Sequence, residues 1–303
     1  MSTTTTTPTT LELAPPRRRT TGERITLALR RGPLHVVIIL LCLIWMVPTV
    51  GLLVSSFRPA QQVATTGWWN AFTLPFQFTL DNYQQVLSAN NMGSSFINSL
   101  FIAIPATVIP IMVAAFAAYA FAWMEFPGRQ FLFIVVVGLL VVPLQMTLIP
   151  VLRLFTALHL TGTFLAVWLA HTGYGLPFAV YLLRNFFGDL PRDMFESAYL
   201  DGASPFTAFF RLALPTSVPA LASLAIFQFM WVWNDLLVAL IYLGGTPSVA
   251  PMTVTISGLV NSLGQGWQLL TAAAFLSMML PLLVFFSMQR YFVRGILAGS
   301  VKG

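Results

Sequence analysis

The chain is dominated by long apolar stretches that carry almost no charge, beginning with "LHVVIILLCLIWMVPTVGLLVSSF" over 34–57. A membrane-crossing helix needs roughly 20 such residues. Six segments reach that length: 34–57, 95–123, 131–151, 163–183, 215–243 and 268–290. Only 8% of the 303 residues are charged and 57% are hydrophobic, whereas a soluble domain carries about 25% charged residues. Lipid is therefore the solvent, and the expected fold class is an all-α polytopic membrane protein with six transmembrane helices. The run 236–289 is too long for one helix. Its middle, "GGTPSVAPMTVTISGLVNSLGQGWQ", is rich in Gly, Pro, Ser and Asn and reads as a loop between two spans.

Lys and Arg set the expected orientation. Arg17, Arg18, Arg19, Arg24, Arg30 and Arg31 precede the first span, and Arg129, Arg184, Arg192, Arg211, Arg290, Arg294 and Lys302 fall on the same side. Only Arg58 and Arg153 fall on the other, so the tally is 13 against 2. Both termini are expected in the cytoplasm. This bias explains the net charge of +6 without any nucleic-acid partner. Residues 1–33, opening on "MSTTTTTPTTLELAPPRRR", read as a disordered cytoplasmic tail. The first span reads as an uncleaved anchor.

Several chemistries are excluded by what the chain lacks. A phosphate-binding G-x-x-x-x-G-K-[ST] loop needs a Lys, and the only Lys is Lys302. His35, His159 and His171 stand at no metal-ligand spacing, there is no G-x-S-x-G elbow, and Cys42 is alone. No metal site, cofactor or catalytic residue is expected in this chain. Asp235 is the only acidic residue inside a proposed span. Counted at about 1.5 Å per residue it lies near the outer interface, beside Trp231 and Trp233, where water would reach it.

The polar stretch "ESAYLDGASPFTAFFRLALP" (196–215) interrupts this pattern. Within 190–215 the spacing predicts two short helices. Pro191 suits a first turn and Met194, Phe195, Ala198 and Tyr199 follow at helical spacing. Asp201-Gly202 marks a turn, Ser204 caps a second helix with Pro205 at its first position, and Pro215 ends or kinks it. Phe206, Phe209, Phe210 and Ala213 form one stripe. An amphipathic helix resting on lipid is the simplest alternative, but Asp189, Asp193, Glu196 and Asp201 oppose an anionic membrane.

The order Glu196-Ser197-Ala198, then Asp201-Gly202-Ala203, then Leu214-Pro215 resembles the EAA loop of binding-protein-dependent ABC importer permeases. Ser197 departs from the family's usual Ala, a change expected to be tolerated on the packed face. Further phrases, among them "FTLDNYQQVL" (78–87), "AAYAFAWMEFPGR" (117–129) and "QRYFVRGILAGSVKG" (289–303), look like the sugar-importer, maltose-type branch. "LAHTGYGLPFAVYLLRN" (169–185) is similar to its α-glucoside subgroup. The resemblance covers the chain from about residue 34 and implies a type I ABC importer permease fold over 34–303. It implies a multi-pass subunit of the bacterial cytoplasmic membrane, with a second permease (a heterodimer), two ATP-binding subunits holding ATP and Mg, and an extracytoplasmic solute-binding protein. Residues 190–215 would be the coupling loop: Glu196 would pair with an arginine of the ATPase, Gly202 would fold the two helices together, and Phe206, Phe209 and Phe210 would fill its groove.

Two further sets are candidates. Depth counting at about 1.5 Å per residue puts His171, Gln228 and Gln145 at one level, with Tyr174 one turn below. They could line a sugar path, or they could be interhelical bonds. The loop tip Asn261, Ser262, Gly264, Gln265 and Gly266 is neutral and small. The resemblance implies that it enters the binding protein's sugar site, and a passive turn is the alternative. The class-level rival to the importer is an ATP-independent facilitator or channel.

Overall fold

A computed structural model describes the backbone of residues 21–88, 91–259 and 266–300, with side chains over 32–88, 91–259 and 266–289. The chain divides into two compact units, residues 1–51 and 52–303. In the first unit the described residues form one helix, the greater part of α1 (Thr21–Ser56). Residues 21–33, expected in the tail, are helical, as the good helix formers of "TGERITLALRR" allow. Residues 1–20 lie outside the described residues.

In the second unit, two short elements follow: α2 (Ala60–Thr65) and, after a 3-10 turn over Trp68–Phe72, α3 (Asp81–Ser88). Then come α4 (Met92–Trp123), α5 (Arg129–Gly138), α6 (Leu144–Ala157) and α7 (Phe164–Gly188). The polar stretch supplies α8 (Arg192–Leu200), α9 (Pro205–Ala208) and α10 (Leu214–Thr216). The chain ends with α11 (Val218–Trp233), α12 (Leu237–Leu243), α13 (Met252–Ser257) and α14 (Trp267–Ser300). Among the described residues four helices are long and apolar enough to cross a membrane, and six spans result if each of two bent pairs counts as one.

Those bends correct two expected spans. The third, expected as 131–151, turns by 104° between Arg129–Val141 and Leu144–Ala157. Pro143 has no N–H to continue a helix, and Val142 before it is driven to extended backbone. The fifth, expected as 215–243, bends by 73° on entry at Ser217. It then ends at Trp233, and the chain turns through Asn234–Leu236 before α12 begins.

α4 is the spine of the second unit. Ala103, Ala106, Pro110, Ala114 and Ala118 form a buried small-residue stripe along it, and α7 packs closely there through Ala166, Ala170 and Ala179. Small residues let helix backbones approach in lipid, where no hydrophobic drive separates one apolar surface from another. Two apolar clusters lie along this pair. One gathers Ile102, Phe155, Val167, Trp233 and Tyr242 around α4, α6, α7, α11 and α12. The other gathers Ala115, Tyr119, Leu183, Phe187, Phe195 and Phe209 at the opposite end.

Proline organises the contacts between helices. Pro105, Pro110 and Pro281 stand inside α4 and α14. Each leaves the carbonyl four residues earlier without its helical donor. A neighbouring helix supplies one in every case. Trp168 Nε1 donates to Phe101 O (3.0 Å), Gln228 Nε2 to Ala106 O (3.1 Å) and Trp233 Nε1 to Ser277 O (3.1 Å). Polar side chains in these spans thereby answer backbone groups that hydrocarbon could not.

Candidate coupling surface and polar sites

Residues 190–215 form a bent knuckle between α7 and α11, with the local signals of the sequence in place. Gly202 has φ +84°. The Ser204 side chain accepts from Thr207 N (3.2 Å) and caps α9. Ser197 Oγ donates to Asp193 O (2.8 Å) within α8. It is exposed rather than on a packed face, because the buried face of α8 is carried by Phe195.

The back of the knuckle is fastened to its own subunit. Phe195 stacks on Trp123 with ring centres 4.0 Å apart, and Trp123 Nε1 donates to Phe187 O (2.9 Å). The Tyr119 and Tyr199 hydroxyls pair at 3.0 Å. Phe209 is 1% exposed and packs between Phe116 and Tyr119. The expectation of one outward phenylalanine stripe is therefore corrected. A π-helical turn over Phe209–Ala213 inserts extra rotation, so Phe209 and Ala213 face the subunit's core while Phe206 stays 70% exposed. The outward face holds Asp193, Glu196, Leu200, Asp201, Phe206 and Phe210. Leu200 is 89% exposed, and among the described residues Glu196 has no ion-pair partner. Ala198, Ala203 and Leu214 are half-buried, and Pro215 is exposed.

The three residues expected at one depth, with Tyr174 a turn below, do not form one set. The His171 ring meets the edge of Trp231 at 5.1 Å, while Gln228 lies against Gly175, where an added Cβ would stand 2.7 Å from Gln228 Oε1. Gln228 is thus a turn away from His171, about 6 Å along α7. It is buried and serves the carbonyl that Pro110 frees. Tyr174 bridges α7 to α12 and α6 through Tyr242 OH (2.7 Å) and Thr147 Oγ1 (3.1 Å). Gln145 is exposed. Between α4 and α10–α11 lies an open groove of about 310 Å³, lined by Val108, Ile111, Met112, Leu214 and Leu221. Thr107 supplies the one hydroxyl on its wall, so it offers a sugar almost no hydrogen bonding.

Asp235 is not a wetted interfacial residue. Its side chain is 11% exposed, accepts from Val238 N (3.3 Å) and Ala239 N (3.0 Å), and approaches His171 Nε2 at 3.7 Å. The break after α11 turns the carboxylate inward, where it caps α12.

Sequence reasoning missed the polar N-terminal end of α4. Asn98 Nδ2 donates to Ser248 O and Ala250 O (both 3.1 Å), Ser99 Oγ accepts from Met252 N (2.8 Å), and Ser95 Oγ pairs with Thr255 Oγ1 (2.7 Å). Residues 248–255, expected as open loop, are fastened to α4 and include part of α13. Ser95 and Ser99 at helical spacing with Asn98 between them were the available signal. Of the proposed loop tip, Asn261, Ser262, Gly264 and Gln265 lie outside the described residues, and Gly266 has φ +100°.

Known proteins place this architecture. Residues 91–298 match the family model described as binding-protein-dependent transport system inner membrane component. The chain is 62% identical over 273 residues to the osmoprotective compounds uptake permease protein GgtD of Synechocystis sp., covering 89% of this chain and 92% of that one. It is 42% identical to the alpha-glucoside transport system permease protein AglG of Rhizobium meliloti, over 90% of this chain and 99% of that one. Among solved structures, a chain of a bacterial ABC transporter that imports the acidic polysaccharide alginate superposes with a TM-score of 0.74 at 19% identity. That match covers 91% of this chain and all of the other, and shows the shared fold. With its six spans, broken third and fifth helices and intervening knuckle, this chain belongs to the family of inner-membrane components of binding-protein-dependent ABC transport systems.

Proposed function

We propose that this chain is the permease subunit of an ATP-driven importer that carries a sugar of the α-glucoside class into the cytoplasm, both termini lying on that side. The observation that carries the reading is the knuckle. Its back is held by Trp123, Tyr119 and Phe187, while an acidic and aromatic front is left open between two spans. Such a surface suits a separate ATPase that offers Arg or Lys and holds ATP and Mg. The chain has no phosphate-binding loop of its own. A second permease and an extracytoplasmic solute-binding protein complete the complex.

Support for the sugar class comes from AglG, whose name states α-glucoside transport and which aligns over 99% of its length. A second reading, uptake of osmoprotective compounds, is favoured by the 62% identity to GgtD. Uptake of a labelled panel of α-glucosides and osmolytes, in cells with and without this gene, separates the two. Glu196→Ala tests the coupling role. Losing a charge-assisted interface pair commonly costs about 2–5 kcal/mol, so less ATPase should co-purify and uptake should fall while the permease still inserts. Undiminished uptake would contradict the coupling role, and uptake in ATP-free vesicles would point to a facilitator.

A further inference from the structure

We propose that residues 67–80 form an aromatic arm that lies in the lipid–water interface on the face opposite the knuckle. The arm is "GWWNAFTLPFQFTL". No charged residue occurs between Arg58 and Asp81. With six spans, this connection between the first and second lies across the membrane from the one between the fourth and fifth.

Apart from Trp68, which is half-buried, the arm's large apolar side chains do not turn into the protein. Trp69 is 64% exposed and Leu74 80%, and Phe72, Phe76, Phe78 and Leu80 are exposed as well. Single exposed apolar residues are ordinary, but a contiguous set marks an interaction surface.

The structure fixes the height of this set. The three residues that close the first span, Ser56, Phe57 and Arg58, hold both ends of the arm. On the near side Arg58 is buried and its guanidinium donates to Gln62 O and Thr66 O (both 3.3 Å) and to Thr66 Oγ1. On the far side Thr79 N donates to Phe57 O (2.7 Å). Asn82 Nδ2 reaches Ser56 O (2.8 Å) and Arg58 O (2.9 Å), and the Ser56 and Tyr83 hydroxyls pair at 2.8 Å. Gln62 Nε2 also donates to Gln77 Oε1, across the arm. The Trp69 ring folds back over Gly67, in the space a Cβ would need. A segment tied twice to the end of an apolar helix stays at the level where that helix leaves the hydrocarbon.

That level is where Trp and other aromatic side chains are enriched, an apolar ring body meeting a wet edge. A protein-facing patch has an apolar core with a polar rim, whereas here the exposed polar residues Asn70, Thr73 and Gln77 alternate with the rings and carry no charge. Lipid is the occupant that composition and height both select, whatever solute the complex carries.

The test uses the full complex in phosphatidylcholine nanodiscs, without binding protein. In a Cys42→Ser background, single cysteines at Trp69, Leu74 or Phe76 are labelled with a polarity-sensitive nitrobenzoxadiazole. Gln61, exposed and polar, is the control site. The arm labels should emit at shorter wavelength than the Gln61 label. Lipids carrying a doxyl group near the headgroup should quench them more than lipids with a deep doxyl. Water-like emission without lipid quenching overturns the proposal. So does a blue shift that lipids fail to quench, which means burial on the companion subunit. A shift that requires added binding protein overturns it too. Trp69→Phe keeps an aromatic ring and gives a second reading: the fraction of intrinsic fluorescence quenched by brominated lipid should fall, and an unchanged fraction counts against the arm.

Discussion

Gln228 was open to two readings, sugar path or interhelical bond, and it is bonded as a brace. Its amide fills the acceptor that Pro110 empties, so replacing it leaves Ala106 O unpaired in a dry interior. An orphaned buried acceptor costs about 1–3 kcal/mol. Gln228→Leu should lower the complex's melting temperature accordingly. Pro110→Ala in the same protein should recover much of the loss, because an alanine there brings back the helix's own N–H. Thermal unfolding of wild type, both singles and the double variant checks it, and additive losses would refute the pairing. Gly202 makes the complementary case, in which only the backbone matters. At φ +84° a Cβ would meet nothing within 4 Å, so any penalty is conformational. The left-handed region costs an ordinary residue about 1–2 kcal/mol, and Asn visits it more readily. Gly202→Val should reduce transport and Gly202→Asn should reduce it less, with membrane insertion normal for both. Equal transport by the two would remove the turn from the argument.

At the scale of elements, the knuckle depends on being fastened at its back. Phe195 is fully buried on Trp123, and large-to-small changes of this kind cost about 3–5 kcal/mol. Phe195→Ala should therefore loosen α8, raising protease cleavage within 190–215 and lowering ATPase co-purification. Glu196→Ala should lower co-purification without raising cleavage. The contrast separates positioning from contact, and identical cleavage in the two variants would count against it. Much of this element was legible. Asp201-Gly202 and Pro205 act through their own backbone and Ser204 through a side chain that reaches only three residues on, and the structure has them as read. The division of the phenylalanines was not legible, because the π-helical turn at Phe209–Ala213 changes which residues share a face. An ideal period of 3.6 residues cannot anticipate it.

In the whole molecule, two apolar clusters are strung along α4 and α7, and the stretch 248–252 between α12 and α14 is fastened to α4. Replacing Ser262–Gln265 by a single Gly should therefore leave folding and complex assembly intact. If the tip enters the binding protein's cleft, sugar transfer should fall while the assembled complex elutes normally. Normal uptake would leave the tip a connector. The sequence by itself determined the solvent, the helical class, the number of spans and the place of the knuckle. These follow from local composition: a backbone in hydrocarbon must satisfy its own hydrogen bonds, so each long apolar run becomes helical, whether as one helix or as a broken pair. Only the tertiary structure decided what the polar residues in those helices do. Trp168, Gln228 and Trp233 reach carbonyls in other helices, and Asp235 turns inward to cap α12. Prolines announce which carbonyls will lack a donor. Which side chain answers depends on helix rotation and register, and these arise from small-residue packing between segments far apart in the chain.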